Sequence, residues 1–202
     1  MKSIGNRLQY VMSLVKSGSH FCDVGADHGY LGRRLLDEDK VGFVQLVENK
    51  IGPYKAMERH LHDYLDSNKL ELTLGDGLER LDETVSVVSI TGLGGDTIAK
   101  IINDSASKIN NVSSFIIGAQ TKPFLVRITL FRLGFRISLE KVIEESGKLY
   151  LIMFFEKGEQ RIDNETVYYG TLKTKNDAHT LEYITKQKRI IDRIQSEEDY
   201  EN

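Results

Sequence analysis

Residues 21–29 read Phe-Cys-Asp-Val-Gly-Ala-Asp-His-Gly, an apolar run that ends in a glycine turn carrying two aspartates. This segment restricts the fold more than any other. A helix start follows at Tyr30-Leu31, a second apolar run closes on Glu48, and a third closes on Leu74-Gly75-Asp76-Gly77. A glycine turn followed by two acids, each at the C-terminal end of its strand, is the layout of a nucleoside-ligand site along an open α/β sheet.

The residue types narrow the ligand. A dinucleotide site needs three glycines, spaced so that backbone can approach a pyrophosphate at a helix N-terminus. Here the turn is Gly25-Ala26-Asp27-His28-Gly29, with a carboxylate where the phosphates belong. Two like charges about 4 Å apart in a half-buried site repel by several kcal/mol. The turn suits a ligand that is cationic at this end, and S-adenosylmethionine, with an ammonium and a sulfonium, fits. The candidate ligand residues are Asp23, Gly25, Asp27, His28, Glu48, Asn49, Asp76 and Gly77, with Glu48 accepting from the two ribose hydroxyls and Asp76 from the adenine amino group. Asp27 serves equally as a cap for the following helix, and His28 as a helix-start residue bonded to backbone. Tyr30 packs on the ligand or fills the core.

Around this centre the chain reads as β-α units. Leu8, Val11, Met12 and Val15 have helical spacing over 3–16. Strands are expected at 20–24, 42–47, 70–74, 85–90 and 115–119, and helices at 29–38, from Pro53 to about 66, from an Asp96 N-cap, and from Pro123 to Gly134. Two further strands, 135–144 and 149–155, are joined by a Ser146-Gly147 turn. From Arg161 the pattern becomes helical, with Leu172, Leu181, Ile184, Ile191 and Ile194 recurring, and an antiparallel helix pair is expected. Six bases (Lys173, Lys175, Lys186, Lys188, Arg189 and Arg193) stand against three acids over 171–195. This stripe is either a solvated face or an RNA contact. The acidic end, 197–202, is expected to fray.

Composition removes other classes. The net charge of −3 gives no global polyanion signature, so a nucleic-acid surface must be local. The single cysteine, Cys22, lies in the first strand, which excludes a disulfide framework, and no Cys/His cluster has zinc spacing. No apolar run approaches the roughly eighteen residues of a membrane span. The expectation is a cytoplasmic protein without metal or membrane, its oligomeric state open and a monomer compatible with the sequence.

With these motifs placed, the chain resembles the bacterial tRNA adenine N1-methyltransferases that act on adenosine 22 of the D-arm. That family carries Asp-Ile-Gly-Ser-Asp-His-Ala-Tyr-Leu-Pro, Gly-Asp-Gly-Leu and Ala-Gly-Met-Gly-Gly. The matching stretches are Asp23-Val24-Gly25-Ala26-Asp27-His28-Gly29-Tyr30-Leu31-Gly32, Gly75-Asp76-Gly77-Leu78 and Thr91-Gly92-Leu93-Gly94-Gly95, with Arg7-Leu8 matching an early Arg-Leu. The similarity spans about 4–157. Thr91 and Leu93 replace Ala and Met, and the family's Leu-Gln-Pro-Asn appears as Gly118-Ala119-Gln120-Thr121-Lys122-Pro123. The C-terminal region is also shorter than the family's helical one.

The resemblance implies a class I methyltransferase fold: an α/β, Rossmann-like, seven-stranded sheet ending in an antiparallel hairpin. A methyltransferase domain would span 1–159 and a small helical, coiled-coil-like appendage 160–202. It implies S-adenosylmethionine as cofactor and tRNA as partner. Thr91, Gly92, Leu93, Gly94 and Gly95 would hold the target base, or would simply connect a strand to a helix. Adenine N1 attacks with a free lone pair, so no general base is expected, and the five histidines form no obvious catalytic pair. Affinity for RNA comes largely from its backbone, and Arg7, Lys122, Arg127, Arg132, Lys186, Lys188 and Arg189 are the candidate contacts. Two other readings stay open: a methyltransferase of another substrate, and a non-catalytic RNA-binding relative.

Overall fold

The computed structural model describes residues 4–198, with side chains as far as 193. A first helix, α1 (Asn6–Leu14), precedes alternating strands and helices: β1 (Ser19–Val24), α2 (Tyr30–Asp37), β2 (Val41–Glu48), α3 (Ile51–His60) and β3 (Leu70–Leu74). Then come β4 (Val87–Leu93), α4 (Gly95–Asp104), β5 (Ser114–Ala119), α5 (Pro123–Arg132), β6 (Phe135–Glu145) and β7 (Lys148–Lys157). The seven strands form one sheet in the order β3-β2-β1-β4-β5-β7-β6. The first five are parallel, and β7 runs antiparallel to both β5 and β6. This is the expected architecture, with the last strand inserted before its predecessor.

Both faces of the sheet are covered, which is why its central strands read as continuous apolar runs. One core holds Phe21, Leu31, Leu35, Val44, Leu46 and Met57 under α1, α2 and α3. The other holds Val88, Ile90, Ile98, Phe115, Val126 and Phe155 under α4 and α5. Cys22 is wholly buried, as core filler should be. The hairpin between β6 and β7 turns on Ser146 and Gly147, whose φ of 53° and 75° match a two-residue turn with the twist of its strands.

Several boundaries differ from expectation, β4 beginning at Val87 rather than 85 and α3 at Ile51 rather than Pro53. β4 runs on to Leu93, because a bulge at Gly92 (φ 83°) lets the strand resume pairing, Leu93 with Ala119. Gly94, not Asp96, is the N-cap of α4, and Asp96 sits in its first turn. The third helix ends at His60 and a short 3-10 turn (His62–Tyr64) completes the segment.

The C-terminal region is α6 (Asn164–Tyr169), a 3-10 turn (Leu172–Thr174) and one long helix, α7 (Ala178–Glu198), rather than a helix pair. Val167, Leu172 and Tyr183 join the core beneath α4 and α5. The rest of the expected frayed end, 199–202, lies outside the described residues.

Candidate functional site

Every parallel strand delivers its C-terminus to one edge of the sheet, and there a cavity of about 420 Å³ opens. That is the size of a small-molecule site. Asp23, Val24, Gly25, Ala26, Asp27, His28, Glu48, Asn49, Gly75, Asp76 and Gly77 all line it, so the residues expected around a nucleoside ligand converge. Thr91, Gly92 and Leu93 close the far side, with Thr97 and Ile101 from α4.

The first turn takes its shape from left-handed backbone at Gly25 (φ 73°), Asp27 (φ 53°) and Gly29 (φ 70°). A Cβ on Gly25 would meet nothing within 4 Å, so the backbone there faces open cavity. Gly29 is the N-cap of α2, and no side chain caps that helix. The capping reading of Asp27 is therefore set aside: its carboxylate stays exposed, 3.7 Å from His28 Nε2. Glu48 is held in place by its neighbours. Its Oε2 accepts the Asp27 N–H at 3.2 Å and its Oε1 the Lys50 N–H at 3.0 Å. A carboxylate has about four acceptor positions, so each oxygen keeps one for a ligand hydroxyl.

Asp23 is 7% exposed. Burial pushes its carboxyl up to about 7, and the nearby Ser89 hydroxyl moderates the shift. The Ser89 hydroxyl itself makes no hydrogen bond of normal geometry among the described residues. A buried acid lacking a cationic partner at the wall of a cavity is a group that a positively charged ligand would complete.

The exposed rings of His28 and Tyr30 cluster with the half-buried ring of His60 beside the turn, with centroids 5.6 and 4.8 Å apart, and His60 Nδ1 reaches the His28 carbonyl at 2.9 Å. Of the expected base-pocket residues, Gly94 and Gly95 are corrected: neither lines the cavity. A Cβ on Gly95 would fall 2.3 Å from the Lys122 carbonyl oxygen and 2.6 Å from that of Thr121. These glycines instead let the start of α4 press against the loop after β5.

The basic candidates divide. Arg127 is 1% exposed and is no RNA contact. Its guanidinium pairs with Glu140 at 2.8 Å and donates to the carbonyls of Val167 and Tyr168 at 2.9 Å each. Glu140 also accepts from the Thr171 N–H and hydroxyl, so the pair fastens the C-terminal segment to the sheet. Arg7 lines the cavity, stacked 4.7 Å over Tyr150 and 4.0 Å from Glu145, with its Nε buried and without a hydrogen bond. Lys122 is exposed and pairs with Asp96, and Lys186 pairs with Glu182. Arg132, Lys188 and Arg189 are exposed.

Sequence reasoning missed Leu8, Lys50, Pro53, Thr97 and Ile101 as lining residues. Ile101 had a signal, since helix α4 starts at the glycine loop and its second turn must overhang the site. The described residues contain no group of His, Cys, Asp or Glu that would hold a metal, and no helix long and apolar enough to cross a membrane.

A family model described as a methyltransferase domain matches residues 4–153. The chain belongs to this methyltransferase family. It is 26% identical over 168 residues to the tRNA (adenine(22)-N(1))-methyltransferase of Bacillus subtilis, an alignment that covers 83% of this chain and 69% of that protein. A candidate tRNA (m1A22) methyltransferase of Streptococcus pneumoniae, solved in complex with S-adenosyl-L-methionine, superposes with a TM-score of 0.85 at 28% identity, over 98% of this chain and 99% of that one. The crystal structure of the B. subtilis m1A22 tRNA methyltransferase, 23% identical, has the same fold, with a TM-score of 0.86 over 96% of this chain and 87% of that one.

Proposed function

We propose that this methyltransferase transfers a methyl group from S-adenosylmethionine to N1 of adenosine 22 in the D-arm of tRNA. One observation carries the donor assignment. A cavity of nucleoside size has its buried Asp23 unpaired by any cation among the described residues, while Asp27 and Asp76 add further negative charge at its wall. The tRNA and its position are supported by the B. subtilis and S. pneumoniae relatives.

The residues present fit the donor. Glu48 would offer its free acceptor positions to the two ribose hydroxyls, Asp76 would accept from the adenine amino group, and Asp23 and Asp27 would meet the ammonium end. The Arg7 guanidinium at the same cavity, its Nε 4.0 Å from Glu145 and without a hydrogen bond, would suit the donor's carboxylate. Bound there, S-adenosylmethionine supplies an electrophilic methyl on sulfur. Adenine N1 needs no proton removed before it attacks, so the protein's work is alignment of the base over the Thr91-Gly92-Leu93 wall and exclusion of water. Exposed Lys122, Arg132, Lys186, Lys188 and Arg189 are the proposed tRNA contacts, and the cytoplasm is the proposed compartment.

The test is incubation with total bacterial tRNA and labelled donor, followed by mapping of the modified nucleotide. Label at N1 of adenosine 22 is the expected result. Donor binding by calorimetry without any transfer to RNA would overturn the enzyme reading, and label at another nucleotide would overturn the position.

A further inference from the structure

We propose that Gln120 reads the adenine base and sharpens its reactivity, an inference that rests on the N1-methyltransferase reading above. After the bulge at Gly92, β4 pairs again with β5 through Leu93 and Ala119. The next residue, Gln120, donates its backbone N–H to the Leu93 carbonyl at 2.8 Å, which pins it beside the bulge. Its side-chain Nε2 lies 4.0 Å from the point where a Cβ on Gly92 would stand. Gly92 and Leu93 line the cavity, and Gln120, which does not line it, has its amide next to Gly92. The side chain is exposed, and among the described residues its amide has no hydrogen-bond partner.

The neighbouring polar groups on this loop are already engaged. Lys122 is paired with Asp96, and the Thr121 carbonyl accepts the Gly95 N–H at 2.8 Å. Gln120 is thus the free planar amide above the wall assigned to the target base. A carboxamide matches adenine in one geometry that suits this reaction: Oε1 accepts from N6–H while Nε2–H donates to N7. That pairing engages the edge opposite N1 and leaves the N1 lone pair bare. Guanine, with an acceptor at position 6 and a proton on N1, fails on both counts.

The same hydrogen bond strengthens during the reaction. The N1 lone pair forms a bond to the methyl carbon as the carbon–sulfur bond breaks, its electron pair going to sulfur. Positive charge then spreads over N1, C6 and N6, and the product is a cation that can later shed an N6 proton to water. An acceptor on N6–H is therefore held more tightly in the transition state than in the bound substrate, and its removal lowers kcat.

The experiment compares wild-type protein, Gln120→Leu and Gln120→Glu on two transcripts, one with adenosine and one with purine riboside (which lacks the amino group) at the target position. On adenosine, Gln120→Leu should lower kcat by about ten- to a hundredfold, the scale of a hydrogen bond to a charging group. On purine riboside, wild type and Gln120→Leu should differ little, since the group that Gln120 binds is gone. Gln120→Glu keeps the N6 acceptor and should retain most of the wild-type preference for adenosine. Donor Kd and Tm should be the same in all three. Equal losses on both transcripts, no loss on either, or a lost preference in Gln120→Glu would overturn the proposal. If wild type itself leaves adenosine unmodified, the functional reading falls instead.

Discussion

Asp23 shows how one residue couples stability to ligand binding. Its folded carboxyl titrates near 7 against 3.8 in an unfolded chain, because burial disfavours the charge. The folded state therefore holds a proton that the unfolded state has lost between those values. Stability is greatest below pH 4 as far as this group is concerned, and it declines as pH rises toward 7, by at most about 4 kcal/mol. Asp23→Asn removes the charge, so at pH 8 the ligand-free variant should melt higher than wild type in a thermal scan. Donor affinity should move oppositely. A cationic ligand prefers the ionised acid, so calorimetric Kd should worsen as pH falls from 8 to 6, and Asp23→Asn should bind weakly with a flat profile. A pH-independent Kd in the wild type would show that Asp23 does not face the donor's charge. At saturating donor the bound cation keeps Asp23 ionised, so single-turnover rates should lose the limb near pH 7. Glu48 calls for a gentler change than alanine, because truncation would orphan two backbone N–H groups. Glu48→Gln should weaken donor binding by about 1–3 kcal/mol with a small change in ligand-free Tm, and an unchanged Kd would dissociate it from the ribose.

Among the elements, the segment joining α5, β6 and α6 carries the least visible design. Arg127 and Glu140, 1% and 0% exposed at their side chains, hold the α6 carbonyls and the Thr171 N–H around one buried ion pair. Removing one partner leaves a charge in the core, so Arg127→Met should cost about 3–5 kcal/mol. The pair Arg127→Met with Glu140→Leu should cost less than the single change, and urea midpoints would check both. The sequence announced Asp23, Glu48 and Asp76 because an acid at the end of an apolar parallel strand has few other uses. It announced β7 by the Ser146-Gly147 turn. It hid the role of Arg127, since an arginine on α5 looks solvated until β6 brings Glu140 beneath it. It also hid the work of Gly95: a glycine after a strand reads as ligand-facing, whereas here only packing against the Thr121 and Lys122 carbonyls explains it. Gly95→Ala should destabilise by about 1–3 kcal/mol through overpacking and should shift the wall that carries Gly92.

For the whole molecule, the charge balance predicts a local RNA surface, since net charge is only −3. Affinity for tRNA should fall with salt at a slope set by the few phosphates that exposed bases reach. Lys188→Ala with Arg189→Ala should make the slope shallower and spare donor Kd, whereas an identical slope would clear α7 of any role. Cutting the chain near residue 160 is a poor test of that role, because it strips Val167, Leu172 and the α6 carbonyls from the core and from Arg127. The strand order has a consequence for biosynthesis. β7 is the last strand made, yet it lies between β5 and β6. During translation β6 emerges with no place to dock, and the β5 edge stands open until residue 157 clears the ribosome. The nascent sheet is complete only when the hairpin closes behind it, so a chain that has emerged from the tunnel only as far as 146–157 would present a five-stranded parallel sheet with a bare, apolar flank to whatever chaperone waits at the tunnel exit.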